Sequence, residues 1–127
     1  MDLINKPLDA ITAETETLAQ YLQAASQYQE FIAANQAVQA DEEVKRISNM
    51  IDSLQSKVKA DYEGQKELIK KIDALSLELE ALPSVQSYYQ KEEIVCAFFA
   101  EVDQIISDGI GIHFALNARR ARCSCGN

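Results

Sequence analysis

A chain of 127 residues, 47% apolar and 25% charged, has the size of one ordinary domain and a globular composition, and its four Gly and two Pro are too few for a turn-rich β sandwich or barrel. Twenty acidic against twelve basic residues give a net charge of −8, so a sequence-independent grip on nucleic-acid phosphate, and direct nucleic-acid binding with it, is not expected. No apolar run reaches the roughly 18 to 20 residues of a membrane span, and the start from Met1 to Pro7 lacks a basic region followed by an apolar one, so a soluble cytoplasmic protein is expected.

Between Pro7 and Pro83 there is no proline and a single glycine, Gly64, in a stretch filled with Ala, Leu, Gln, Glu and Lys. These are the strongest helix formers, and the fold class they predict is all-α. Leu8, Ile11, Leu18, Leu22 and Ala25 lie on one helical stripe, interrupted only by Thr15. At Ser26 the phase shifts, and Ser26 with Gln29 has the form of a capping box opening a second helix with Tyr28, Phe31, Ile32 and Val38; one uninterrupted helix from 8 to 38 is the alternative. Asp41 suits the N-cap of the next helix.

The most regular spacing follows. Val44, Ile47, Ile51, Leu54 and Val58 repeat at steps of three and four, and Leu68, Ile72, Leu75, Leu79 and Leu82 continue in the same phase. Asp61 and Gln65 stand where the stripe requires apolar residues. Either one helix of about 63 Å runs from 41 to 82, or the chain turns near Tyr62-Glu63-Gly64-Gln65 and forms an antiparallel hairpin, with Gly64 in the left-handed conformation. The hairpin is the preferred geometry. Pro83 then ends the helix and Ser84 caps the next, whose wide apolar face includes Val85, Tyr88, Val95, Phe98, Phe99, Val102, Ile105 and Ile106. Gly109-Ile110-Gly111 stops that helix. Stripes at heptad spacing exceed what one hairpin buries, so the helical bundle is expected to self-associate as a dimer or tetramer.

Charge divides the chain into a helical domain over residues 1–111 and a tail over residues 112–127. Residues 1–44 carry eight acids and one base, whereas the tail has three arginines and no acid. The end of the tail, from Ala118, reads as exposed and disordered. It contains Cys123 and Cys125, the candidate metal ligands. Thiolates are soft ligands for zinc and iron–sulfur clusters, but two of them supply only half of a four-ligand site. The odd total of three cysteines points to a reducing compartment rather than a disulfide framework. Cys96, among Val95, Phe98 and Phe99, reads as a small buried hydrophobe. His113 has the weak standing of a lone histidine. The acidic runs at Asp41-Glu42-Glu43 and Glu92-Glu93 suit a helix start and a solvated flank, and the tyrosines suit packing more than base stacking. No phosphate loop, zinc helix or serine elbow is present, and no enzyme is expected. A helical interaction module competes here with a small metal- or redox-active protein using the tail cysteines, and with a purely structural helical oligomer.

The order of motifs resembles the YlbF/YmcA family of small helical bacterial regulators. The resemblance runs through Leu18-Ala19-Gln20-Tyr21-Leu22, Ser26-Gln27-Tyr28-Gln29-Glu30-Phe31, Ala37-Val38-Gln39-Ala40-Asp41-Glu42-Glu43-Val44, Leu82-Pro83-Ser84-Val85-Gln86-Ser87-Tyr88 and Glu101-Val102-Asp103-Gln104-Ile105-Ile106, and covers residues 8–110. It implies an all-α fold with a long helical hairpin, self-association through apolar faces, and no intrinsic catalysis. YlbF-like members regulate competence, sporulation and biofilm formation in a complex with YmcA-like and YaaT-like partners, which carries iron–sulfur clusters and influences messenger-RNA processing by endoribonuclease Y. Cys123 and Cys125 resemble the cysteine-rich end of YlbF-type members, and the resemblance implies that they hold part of a cluster shared with partner subunits.

Overall fold

The structure is a computed structural model that describes residues 2–60 and 63–124, with side chains described over 8–60 and 63–119. Six helices are present and no strand among the described residues: α1 (Asp2–Ala24), α2 (Ser26–Ala40), α3 (Glu42–Ala60), α4 (Gln65–Glu80), α5 (Pro83–Ile110) and α6 (Phe114–Ser124). Two compact units divide the chain, residues 1–91 and 92–127, with the boundary inside α5.

In the first unit, α3 and α4 form the expected antiparallel hairpin. Every member of both stripes, from Val44 to Val58 and from Leu68 to Leu82, is buried or half-buried, and Ile47 has 0% of its surface exposed. Strict three-and-four spacing makes a narrow seam, and two such seams bury each other without needing a third layer. A single helix of twice the length leaves both seams in water. Of the turn, Asp61 and Tyr62 lie outside the described residues, while Glu63 and Gly64 are in it. Gly64 does not adopt the left-handed conformation. Its φ is −93°, and it serves as N-cap of α4, its carbonyl accepting Leu68 N at 3.1 Å. Gln65 explains why a polar residue interrupts the stripe: its side-chain amide donates to the Val58 carbonyl at 3.1 Å, satisfying one of the orphan acceptors at the end of α3.

The break between α1 and α2 falls at Ala25, in an extended conformation with ψ 139°, so the single helix from 8 to 38 does not form. The capping box does not form either. Ser26 is already helical and its hydroxyl lies 3.3 Å from Gln27 Oε1, while the Gln29 side chain reaches across the break to the Gln23 carbonyl. One residue of phase error moves a capping hydroxyl from the flanking position into the helix, where the free amides are out of reach. At α5 the shift is two residues. Pro83 is the first helical residue, the place where its missing N–H costs nothing, and the Leu82 carbonyl accepts Gln86 N at 2.9 Å, so Ser84 is not the cap. Near the α5 start, Tyr88 packs on Phe31 of α2 with ring centroids 5.5 Å apart, and Lys91 donates to Glu30 at 3.1 Å. Ala34 and Val85 are buried in this unit.

In the second unit, α5 passes through Gly109 and stops at Ile110. Gly111 follows at φ 79°, a conformation that favours glycine, and donates its N–H to the Ser107 carbonyl at 2.8 Å. The stretch from Ala118, expected to be disordered, is instead helical as far as Ser124, as part of α6. The first amides of α6 find partners on α5: Phe114 N donates to Ser107 Oγ at 3.0 Å and Ala115 N to Asp103 Oδ1 at 3.1 Å. A local search for a capping residue misses these acceptors, which lie seven and twelve positions upstream.

Candidate functional site

Two neighbouring helices with buried seams leave a furrow along each flank. On one flank of the hairpin this is an open groove of about 610 Å³ walled by Met50, Leu54, Ala74 and Leu75, with Asn49, Ser53 and Lys71 completing the wall. Arg46 stands above it: its guanidinium lies 2.9 Å from Glu43 on its own helix, 3.6 Å from Glu78 on α4 and 3.3 Å from Met50 Sδ. The hydrogen bond and charge of Arg46 lower the Glu43 pKa, and Glu43 raises that of Arg46. On the other flank Val58, Ile69 and Ile72 line a smaller furrow with Gln55 and Lys59.

Asp41 caps α3 as the sequence predicts, Oδ1 accepting Glu43 N at 2.9 Å. Its second oxygen accepts the Ser84 hydroxyl at 2.6 Å, so one carboxylate ties the α2–α3 corner to the start of α5. The Ser84 bond is the main cause that holds the Asp41 carboxyl below its ordinary pKa of 3.8; burial opposes it, and the amides of Glu43 and Val44 add to it. A depressed folded pKa means that the stabilisation is fully present above pH 3.8 and is lost as pH falls through the folded value. Asp41→Ala is therefore expected to lower Tm by about 4 °C at pH 7. The gap to the wild type should narrow below pH 3.8, as thermal melts over a pH series would show. The rest of the acidic run behaves as a helix start does: Glu42 pairs with Lys45 at 3.3 Å and Glu43 with Arg46.

Large apolar side chains also stand in the open along α1 and α5. Along α1 every described side chain from Leu8 to Tyr21 is exposed, with Leu8 at 61% and Ile11 at 59%; only Leu22 and Ala25 at the end of the stripe are half-buried. On α5, Ile94 and Ile105 are 45% and 73% exposed and share one side of the helix, eleven positions or about three turns apart. Val95 is buried, whereas the adjacent Cys96 is exposed, against the sequence expectation. Neighbours on a helix point about 100° apart, so an apolar run of Val95-Cys96 cannot place both on one face.

The sequence-predicted ligands fall at the chain's end. Cys123 lies in the last turn of α6 and its side chain is outside the described set; Cys125 lies outside the described residues altogether. Among the described residues no three His, Cys, Asp or Glu side chains come together as a metal site. His113 opens α6, its carbonyl accepting Asn117 N at 3.1 Å. Sequence reasoning missed Lys71 and Met50 in the groove, and Asp103 and Ser107 at the α6 start. The last pair had a signal, two small polar residues four apart that interrupt an apolar run just before a glycine.

These features define a class, an all-α module built on an antiparallel helical hairpin with uncovered apolar faces. Residues 11–111 match the family described as control of competence regulator ComK, YlbF/YmcA, and the chain belongs to that family. Among solved structures it is similar to a chain of the crystal structure of Bacillus subtilis RicA in complex with RicF. The TM-score is 0.69 at 17% identity, covering 80% of this chain and 94% of that one, which is a likeness of fold. No curated protein sequence matches the chain. No described helix is long and apolar enough to cross a membrane.

Proposed function

We propose that the protein is a non-enzymatic regulatory adaptor, working in the cytoplasm through contacts with other helical subunits. The observation that carries this is the uncovered side of α5, where Ile94 and Ile105 stand exposed in one line. Such a line is the usual footprint of a helix that meets a partner helix. Family membership and the fold likeness to a RicA–RicF structure support a partner of similar build. In the fuller form of this proposal the partners are YmcA-like and YaaT-like proteins, the output is control of competence, sporulation and biofilm formation, and the route is messenger-RNA processing by endoribonuclease Y. A shared iron–sulfur cluster with ligands from Cys123 and Cys125 belongs to the same proposal.

Co-expression with a YmcA-like subunit and affinity capture tests it. The double variant Ile94→Asp and Ile105→Asp is expected to lose capture, with helicity and Tm close to wild type because neither side chain is buried. Undiminished capture by this variant would remove the α5 face from the proposal.

A further inference from the structure

We propose that the groove on the α3–α4 hairpin receives α1 of a second copy of this chain, with Glu14 of one copy paired to Lys71 of the other. Two surfaces that lack a cover within the chain complement each other in shape and charge. The receiving surface is the apolar wall of Met50, Leu54, Ala74 and Leu75, on which Lys71 is the one charged residue. Lys71 forms no ion pair among the described residues, whereas the adjacent Lys70 is paired with Glu67 at 3.6 Å. An unpaired ammonium on an apolar wall selects an occupant that brings a carboxylate beside apolar side chains.

The segment α1 has that composition. Its stripe is exposed at Leu8, Ile11 and Leu18. Glu14 follows Ile11 by three residues and precedes Leu18 by four, which puts it along the edge of the stripe. From Pro7 to Val44 the sequence has seven acids and no Lys, Arg or His, so the part of α1 that carries the stripe, from Leu8 onward, brings no charge that repels Lys71. Within one chain α1 and the groove are both uncovered, so the occupant comes from another molecule. Two-fold reciprocity lets each copy give one helix and take one, and it closes the assembly at a dimer. The inference goes beyond the adaptor reading, which rests on α5, and its test uses the isolated full-length chain, so either can fail alone.

Sedimentation velocity over a concentration series is the experiment. Lys71→Glu and Glu14→Lys are each expected to weaken the dimer about tenfold, because each meets a like charge at both reciprocal contacts. Mixing the two weakened variants should restore dimerisation to within about twofold of wild type. The mixed dimer holds one native pair and one pair with its signs exchanged. Ile11→Asp supplies an arm independent of the ion pair and should leave the chain monomeric. A wild type that stays monomeric at about 100 μM, or single variants that associate as the wild type does, would overturn the proposal, as would a mixture no stronger than its components. Loss of a heterologous partner in Lys71→Glu with no self-association in the wild type would overturn it too, and would give the groove to that partner.

Discussion

Replacing Ile47 with Ala is expected to lower the unfolding free energy by about 3 kcal/mol, measured by urea denaturation. Ile47 is the one large side chain with no exposed surface among the described residues, and it sits in the seam that α3 shares with α4. Truncation removes three carbons from a contact that the straight hairpin cannot close by local collapse, so transfer and cavity costs both apply. Three kcal/mol is a large part of the roughly 5 to 15 kcal/mol by which a domain is stable. Leu77→Ala, on the exposed side of α4, serves as the control and should stay within about 0.5 kcal/mol of wild type. Equal losses at the two positions would mean that the seam is not where the stability resides.

A second large effect concerns the tail. Replacing Cys123 and Cys125 together with Ser is expected to remove the iron from an anaerobically co-purified complex while leaving helicity and self-association unchanged. Neither cysteine belongs to an apolar stripe, and both lie beyond the turn at Gly111. Two thiolates one residue apart can serve one metal centre, but the remaining ligands must come from another chain, which makes iron content a reporter of assembly. Iron and sulfide analysis with the visible absorbance reads the result. Unchanged iron in the double variant would take the tail out of ligation. Stoichiometric iron and sulfide in the isolated wild-type chain would favour instead a protein that is redox-active on its own.

The two helices of the hairpin were legible because their signal is redundant: ten apolar residues in one phase specify both stripes, and an error at any one of them changes nothing, whereas the turn between them rested on Asp61, Gly64 and Gln65 alone, since the phase fits one long helix equally. Helix ends rest on single residues. Ser26 and Ser84 have the right chemistry for caps, yet Ser26 lies one position and Ser84 two positions past the capping residue, and the hydroxyl of Ser84 is spent on Asp41 instead. Cys96 was misplaced for a related reason, since a locally apolar run does not say which of its members faces inward. The candidate site was less legible still. Lys71 lies one position before Ile72 of the stripe and looks like any surface lysine until α3 is laid beside it. The caps of α6 are invisible to local rules because their acceptors are on another helix.

Those caps have a bearing on the cysteines. With 11 residues, α6 is shorter than the about 12 to 15 that an isolated helix needs to persist in water, and its described side chains are all exposed. Its order is borrowed, through Ser107 and Asp103, from the helix before it. Cys123 is thus presented at the end of a rod whose other end is pinned by two hydrogen bonds, and loss of either pin lets the rod melt from its root. By the reciprocity of linkage, a partner that binds Cys123 more tightly on the ordered helix than on the melted one would also tighten the pins, so that capture at the tip and order at the corner would rise and fall together.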